Sequence, residues 1–179
     1  KNKNSFNKEP YLKAVKNYKD LELEVLLKNI QGLKIGLSWK SFKNRYAREK
    51  SIELSNFSKI FEIKNCFFFN LQYGNVTNEI NEFSKTYNHK IINLKELDLF
   101  NNFIGLANLL INLDIFITVS NSTAHLAGAL GVKTYLIKPV NHASYHYWNY
   151  EDEKTPWYNT VKIINKESLK DKNFIENLV

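Results

Sequence analysis

Short apolar runs alternate with amphipathic stretches along most of the chain. The apolar runs have the length of buried strands, and they predict strands at residues 33–39, 66–71, 90–94, 114–119, 133–137 and 159–164. Apolar residues at helical spacing predict helices at residues 10–32, 78–87, 101–112, 122–130 and 166–179. We expect another helix, capped by Ser55, after a polar loop at residues 40–50.

This alternation of strands and helices, with short connections, predicts a parallel sheet covered by helices on both faces. We therefore expect the α/β class, with a Rossmann-like, doubly wound, mostly parallel six-stranded sheet. The run at 114–119 is apolar on both faces, which favours a central strand over a sheet edge. Residues 1–32 are expected to form an N-terminal tail and connecting helix, and residues 33–179 the sheet domain.

The composition excludes several classes of protein. A chain of 179 residues with 44% hydrophobic and 14% aromatic residues can bury a core, which excludes intrinsic disorder. No apolar run approaches the roughly 20 residues of a membrane span, and no signal peptide is visible. The single cysteine, Cys66, excludes an internal disulfide framework and favours a reducing compartment, the cytoplasm. Because the chain begins at Lys1 and lacks methionine, we expect a fragment or a processed protein.

The net charge of +7 comes almost wholly from lysine, since Arg45 and Arg48 are the only arginines. Proteins that bind nucleic acids usually cluster their basic residues and favour arginine for contacts to bases. The lysines of this chain are scattered. This pattern disfavours a nucleic-acid partner and favours attraction to small anions.

Ligands of doubly wound sheets bind at the carboxyl ends of the strands, where helix N-termini offer free N–H groups. Polar residues follow three of the predicted strands, and we expect them to converge: Ser38 and Lys40, then Gln72 and Tyr73, then Ser120, Asn121, Ser122, Thr123 and His125.

The last of these groups enters a helix of small residues that ends at Gly131. Its N-terminus carries unpaired N–H groups and a partial positive charge, which suit a diphosphate, with the hydroxyls of Ser122 and Thr123 beside it. The simpler interpretation is that Ser120 or Asn121 only caps the helix.

Other candidate residues have two interpretations each. His125 either donates a hydrogen bond to phosphate or is a structural histidine. Lys40 either binds phosphate or is a solvated loop lysine, and Gln72-Tyr73 either forms a turn or contacts a nucleobase. His142 and His146 have the i, i+4 spacing of metal ligands, but no complete ligand set accompanies them. We expect no metal and no cofactor.

Residues 117–131, Ile-Thr-Val-Ser-Asn-Ser-Thr-Ala-His-Leu-Ala-Gly-Ala-Leu-Gly, resemble the signature helix of bacterial family 9-type glycosyltransferases. That family includes the lipopolysaccharide heptosyltransferases and the glycosyltransferase domains fused to tetratricopeptide repeats. Further segments resemble the family in the same order, at residues 10–14, 35–40, 50–54, 70–74 and 155–158.

The resemblance implies the C-terminal half of a GT-B fold, with residues 33–179 as the donor-binding domain. It implies an inverting, metal-independent enzyme that uses a nucleotide-diphospho-sugar as substrate. The N-terminal acceptor domain, which supplies the catalytic base, would be missing from this chain, as would any tetratricopeptide repeats of the parent protein. No catalytic residue is therefore expected in the chain itself.

The resemblance also implies roles for individual residues. Ser38 and Lys40 would contact phosphate, and the turn and helix after the fourth strand would hold the diphosphate through Asn121, Ser122, Thr123 and His125. Lys40 and His125 would stabilise the leaving group. Gln72 and Tyr73 would lie by the nucleoside, and Asp98 would reach a ribose hydroxyl.

The chain departs from the family at two turns. The heptosyltransferases carry Asp-Thr-Gly where this chain has Ser120-Asn121-Ser122, and a glycine often follows the lysine where this chain has Ser41-Phe42. Two functions therefore stay open: the donor-binding domain of a glycosyltransferase, or a degenerate, non-catalytic domain that binds a ligand or a protein.

Overall fold

The computed structural model describes residues 7–15, 18, 20–42, 46–139, 148 and 155–178. The strands are β1 Leu33–Ser38, β2 Cys66–Asn70, β3 Ile91–Ile92, β4 Ile115–Val119, β5 Thr134–Ile137 and β6 Val161–Ile164. The helices are α1 Leu21–Lys28, α2 Ala47–Lys50, α3 Thr77–Tyr87, α4 Phe103–Ile111, α5 Ser122–Leu130 and α6 Lys172–Glu176. Shorter 3-10 turns lie at Leu54–Phe57, Ile60–Glu62 and Lys166–Lys170.

The six strands form one parallel sheet in the order β3-β2-β1-β4-β5-β6. This arrangement confirms the predicted α/β, Rossmann-like, doubly wound fold. The strand order reverses between β1 and β4, where Ser38 is in register with Thr118. In sheets of this kind the reversal opens a crevice at the carboxyl ends of the strands, and ligands bind there.

Strand β4 is the centre of the fold, and all five of its residues are buried. Ile115, Ile117 and Val119 belong to the core on one face of the sheet, whereas Phe116 belongs to the core on the other face. Helix α3 contributes to the first core, and α1, α4 and α5 contribute to the second. The prediction of a central strand covered on both faces is confirmed.

The predicted helix at residues 10–32 is wrong in its first half. Among the described residues of this range, only Leu21–Lys28 is helical, and the side chain of Asp20 caps this helix by accepting a hydrogen bond from Leu23 N. Upstream, the N–H groups of Tyr11 and Leu12 both donate to the carbonyl of Ala129. The segment therefore runs as a non-helical strap over the end of α5, because its backbone hydrogen bonds go to that helix.

Three other helix predictions need correction. The helix expected at Ser55 is two 3-10 turns, and Ser55 makes no cap. The closing helix at 166–179 is divided into a 3-10 turn and α6, because Asp171 caps a new helix through Phe174 N. A short helix, α2, lies within the segment that was expected to be a loop.

Helix α4 lies where the sequence predicts a helix. Phe103 and Ile111 are about half exposed, whereas Leu106, Leu109 and Leu110 are buried. Apolar residues cover more of this helix than one face, so their spacing does not define which side packs. Among the described residues, no helix has the length and apolarity needed to cross a membrane.

Candidate functional site

The loops after β1 and β2 are joined through one buried side chain, that of Gln72. Its Oε1 accepts hydrogen bonds from Ser38 Oγ at 3.1 Å, from Trp39 N at 2.9 Å and from Lys40 N at 2.6 Å. Its Nε2 donates to the carbonyl of Tyr73 at 2.9 Å. Gln72 therefore supports the loops, and it also lines the cleft described below.

The same network extends to β4. Asn121 Nδ2 donates to Ser38 Oγ at 2.9 Å, and Asn121 Oδ1 accepts from Ala124 N at 3.0 Å. Asn121 is thus the N-cap of α5, one of the two alternatives considered for this turn. Ser38 is fully buried and is bonded to both neighbours, so it positions the loops and is not exposed to a phosphate.

Lys40 lies at the end of this network and forms an ion pair. Its Nζ is 2.5 Å from Glu79 Oε2, in the first turn of α3. About a third of the Lys40 side chain and a quarter of the Glu79 side chain are exposed. A ligand phosphate would therefore have to compete with the Glu79 carboxylate for this ammonium group.

A cleft of about 450 Å³ lies at the carboxyl ends of β2 and β3, with Thr77 and Ile80 of α3 in its lining. Tyr73 and Asp98, both predicted as nucleoside contacts, line it together with Asn70, Asn93 and Phe100. The Tyr73 ring contacts Phe100, with ring centroids 5.9 Å apart, and also Phe42 at 5.4 Å. The cleft combines an aromatic wall with amide and carboxylate groups.

Asp98 is exposed, and its carboxylate organises the turn that carries Phe100. Oδ1 accepts from the N–H groups of Phe100 and Asn101, and Oδ2 accepts from Asn101 Nδ2. These hydrogen bonds lower the pKa of Asp98, with that from the Asn101 side chain contributing most. The carboxylate is therefore ionised at neutral pH, and Oδ2, which accepts one of these three hydrogen bonds, has a further lone pair for a hydroxyl donor.

On the other side of the network is the first turn of α5. Ser122 is exposed there, whereas Thr123 is buried. The first N–H groups of a helix have no acceptor within the helix and attract anions. This turn is the part of the site that suits a diphosphate.

His125, also in α5, is held among aromatic rings. Its Nδ1 is 3.1 Å from the hydroxyl of Tyr158, and its ring stacks on Trp148 with centroids 4.4 Å apart. Burial, and secondarily the charge of Lys50, lower the pKa of His125. The lowered pKa favours the neutral imidazole in the ligand-free chain at pH 7, and a neutral imidazole can still donate a hydrogen bond from one ring nitrogen.

Sequence reasoning gave no role to Glu79, Tyr158 or Trp148. Glu79 carried a usable signal, because an acidic residue in the first turn of a helix after a strand lies near the carboxyl edge of the sheet. Tyr158 belongs to the segment 155–158 that resembles the family, but its contact with His125 is visible only in the folded structure. Trp148 Nε1 donates to Ser120 Oγ at 3.0 Å, a contact that no spacing predicts.

Metal ligation has no support among the described residues, where no group of three or more His, Cys, Asp or Glu side chains could hold an ion. His142 and His146, whose spacing resembles that of metal ligands, lie outside the described residues.

Comparison with known protein families gives no match. Among curated proteins, protein FlbA of Caulobacter vibrioides is 28% identical over 132 residues, which cover 73% of this chain and 22% of FlbA. The chain thus spans about a fifth of that relative.

Among solved structures, the chain is similar to two E. coli heptosyltransferases. WaaC with ADP has a TM-score of 0.57 at 11% identity, covering 87% of this chain and 48% of WaaC; WaaC with ADP-2-deoxy-2-fluoro heptose scores 0.53. ADP-heptose lps heptosyltransferase II has a TM-score of 0.56 at 13% identity, covering 90% of this chain and 52% of that enzyme. The chain spans about half the length of these enzymes, and its fold is Rossmann-like and similar to that of GT-B glycosyltransferases.

Proposed function

We propose that this chain is the donor-binding domain of a glycosyltransferase and that it binds a nucleotide-diphospho-sugar. One observation carries the proposal. The hydrogen bonds among Gln72, Ser38 and Asn121, here called the Gln72 network, join the ends of β1, β2 and β4 where the strand order reverses. The N-terminus of α5 lies on one side of this network, and the polar, aromatic cleft lies on the other. Two structural neighbours are WaaC with ADP and with an ADP-heptose analogue, which supports a ligand of this class.

The two sides of the network suit the two ends of such a ligand. The cleft offers the Tyr73 ring to a base and the Asp98 carboxylate to a ribose hydroxyl. The first turn of α5 offers N–H groups and the Ser122 hydroxyl to a diphosphate. Lys40 reaches the diphosphate once it leaves Glu79, and adds a full positive charge.

The chemistry follows from the charge that a departing nucleoside diphosphate acquires. A helix N-terminus and a lysine can stabilise that charge without a metal, which fits an inverting, metal-independent transferase. The base that deprotonates the acceptor belongs to the acceptor domain of the parent protein, so this chain alone binds donor without turnover. A cytoplasmic location and tetratricopeptide repeats in the parent protein are parts of the same proposal.

A second candidate is a degenerate binding module, and Ser120 favours it. The heptosyltransferases carry an acidic residue at this position, whereas here the Ser120 hydroxyl is buried and accepts a hydrogen bond from Trp148. Residue 120 would then contact the ligand in an active enzyme but contribute only to packing in this chain.

A thermal-shift screen of the 179-residue chain against nucleoside diphosphates and nucleotide sugars, with and without EDTA, separates the candidates. Ligand at a hundred times its Kd should stabilise the chain by about 2.7 kcal/mol. We expect the shift to survive EDTA and to vanish in Lys40→Ala and Ser122→Ala. Lys59→Ala is the matched control, because Lys59 also pairs with a glutamate, Glu62, but on the surface.

A shift that EDTA abolishes would contradict metal independence. A shift that Lys40→Ala leaves intact would contradict the placement of the diphosphate. No shift with any nucleotide, in this chain and in the longer parent protein alike, would overturn donor binding and leave the binding module.

A further inference from the structure

Asn70 and Asn93 lie side by side where β2 and β3 end, and both line the cleft. Phe69 is in register with Ile92, so the next residue of each strand leaves the sheet at the same edge. Asn70 Nδ2 donates to Asn93 Oδ1 at 2.8 Å. Asn70 is buried, with 6% of its surface exposed, whereas Asn93 is exposed. The two side chains form an amide pair in the lining of the cleft, here called the Asn70–Asn93 pair.

A backbone N–H group fixes the direction of this pair. The oxygen and the nitrogen of a side-chain amide are told apart by the hydrogen bonds that they make. Gln72 N can only donate, and its acceptor at 2.9 Å is Asn70 Oδ1. The other end of the Asn70 amide is therefore the NH2 group, which needs an acceptor. The Asn93 atom that meets it has to be the oxygen.

The Gln72 backbone that sets this direction is itself held in place. The Gln72 side chain accepts hydrogen bonds from Ser38 Oγ and from the N–H groups of Trp39 and Lys40. The direction of the Asn70–Asn93 pair is thus tied to the Gln72 network and not to a side chain that can turn freely.

The pair leaves Asn93 with donors for a ligand. Its Oδ1 is engaged by Asn70, and within the part of the chain that the structure describes its Nδ2 donates to no protein acceptor. An amide that reads adenine uses both atoms, since its oxygen accepts from the exocyclic amino group and its nitrogen donates to a ring nitrogen. A ring carbonyl is an acceptor only, and the NH2 group of Asn93 matches it.

We propose that Asn93 is a specificity-determining residue that donates from Nδ2 to a carbonyl group of the nucleobase, and that Asn70 is the positioning residue that holds it in this direction. The inference rests on the proposed donor binding. It names the ligand as a nucleoside diphosphate with a keto base, uracil or a 6-oxopurine, whose ring face packs on Tyr73 and Phe100.

Adenine and cytosine carry an amino group where these bases carry the carbonyl, so two donors would face each other at Asn93. The solved neighbour WaaC with ADP shares the fold at 11% identity. The base that this chain prefers therefore depends on its own residues at the ends of β2 and β3.

Isothermal titration of the 179-residue chain tests the preference with two pairs of nucleotides of equal ring size. UDP is compared with CDP, and inosine diphosphate is compared with ADP, because the bases of each pair differ in a carbonyl against an amino group at one position. For the ring size that binds more tightly, we expect the keto base to bind about two- to tenfold better than its amino partner, the range of one hydrogen bond. The comparison of UDP with inosine diphosphate tells which ring size the cleft takes.

Two substitutions should reverse the preference. In Asn70→Asp the carboxylate still accepts from Gln72 N but offers Asn93 an acceptor, so the Asn93 amide should turn and present Oδ1 to the base. Asn93→Asp places an acceptor oxygen there directly. In both variants the amino base should gain about two- to tenfold on the keto base relative to the wild-type chain. Asn81→Asp is the matched control, because it adds the same charge in the lining of the same cleft and should leave the order of the bases unchanged.

Exchange of side-chain amide protons with solvent, followed by NMR without ligand, measures the direction of the pair independently. We expect slow exchange for the Asn70 NH2 group and fast exchange for that of Asn93, each assigned by its loss in the aspartate variant. Slow exchange at Asn93 with fast exchange at Asn70 overturns the inference. An amino base that binds as tightly as its keto partner, or a keto preference that is the same in Asn93→Asp as in the wild-type chain, overturns it as well.

The two proposals fail in different ways. If nucleoside diphosphates bind but show no preference for the keto base, only the inference about Asn93 fails. If no nucleoside diphosphate binds, the donor-binding proposal fails and the base preference fails with it, whatever the amide exchange shows.

Discussion

Asn121 Nδ2 donates a 2.9 Å hydrogen bond to Ser38 Oγ across the point where the strand order reverses. The same Asn121 side chain caps α5, and the same Ser38 hydroxyl reaches Gln72. The ends of β1, β2 and β4 are therefore one hydrogen-bonded unit, and a change at either residue should affect the whole edge.

Asn121→Ala should destabilise the chain by about 2–3 kcal/mol. Loss of an N-cap costs about 1 kcal/mol, and the broken bond to the buried Ser38 hydroxyl adds about 1–2 kcal/mol. Urea unfolding followed by circular dichroism measures the difference. Asn121→Ser keeps a capping oxygen and should therefore retain roughly the 1 kcal/mol that the N-cap contributes. If both variants lose the same free energy of unfolding, the cap contributes nothing.

Gln72→Met should cost more, because one acceptor serves three donors. The substitution keeps the volume of the side chain but leaves two N–H groups and the Ser38 hydroxyl without their partner, at about 1–3 kcal/mol each. Urea unfolding again gives the value. Gln31→Met, at the chain's other and exposed glutamine, should be nearly neutral. A loss in Gln72→Met below about 1 kcal/mol would contradict the supporting role of Gln72.

The sequence predicts the fold well where burial alone decides the local structure, as it does in β4. Burial on both faces of a central strand demands a nearly continuous apolar run, and Ile-Phe-Ile-Thr-Val is visible in the sequence as such a run. Its one polar side chain, Thr118, donates to the carbonyl of Val119. The Pro10 segment shows the opposite case. Proline suits a helix start as well as an extended strap, and the decision depends on the Ala129 carbonyl, which is more than a hundred residues away.

The candidate site was predictable as a location but not as a set of contacts. Polar residues at strand ends indicated which loops meet. They did not indicate which side chains face inward, since Ser38 and Gln72 look no different in sequence from Lys40 and Tyr73. Their burial depends on the register that places Leu37 beside Asn70 and Ser38 beside Thr118, which is a property of the folded sheet.

Glu79→Gln should strengthen the binding of a nucleoside diphosphate by up to about fivefold. The substitution frees Lys40 from a partly exposed ion pair, and such pairs are worth about 0–1 kcal/mol. Isothermal titration at constant ionic strength measures the affinity. Glu82→Gln changes the net charge equally on an exposed part of α3 and should have little effect. Weaker binding in Glu79→Gln would instead identify Glu79 as a ligand contact.

Gly128→Ala should destabilise the chain by about 1–3 kcal/mol, although alanine favours a helix over glycine. The added methyl group would overlap the Tyr158 ring and push it from His125. A double-mutant cycle with Tyr158→Ala tests this cause, because the same methyl group should be tolerated once the ring is gone. If both backgrounds lose equal stability, the ring is not what excludes the methyl group.

The free energy of unfolding should depend on pH partly through the protonation of His125. Its folded-state pKa lies below the ordinary 6.5, so the unfolded chain takes up a proton first as the pH falls. The contribution of His125 is therefore complete above pH 6.5 and is lost as the pH falls through the lowered pKa.

Thermal unfolding from pH 7.5 to pH 5, compared between the wild-type chain and His125→Gln, isolates this contribution. The difference in Tm should be largest at pH 7.5 and shrink toward pH 5, because the variant has no imidazole to protonate. Asp98 and Asp114 also have lowered pKa values, but their contributions are lost only at more acidic pH, near and below their ordinary 3.8. A Tm difference that grows on acidification would mean that His125 is more basic in the folded chain than in the unfolded one, and the neutral imidazole would have to be abandoned.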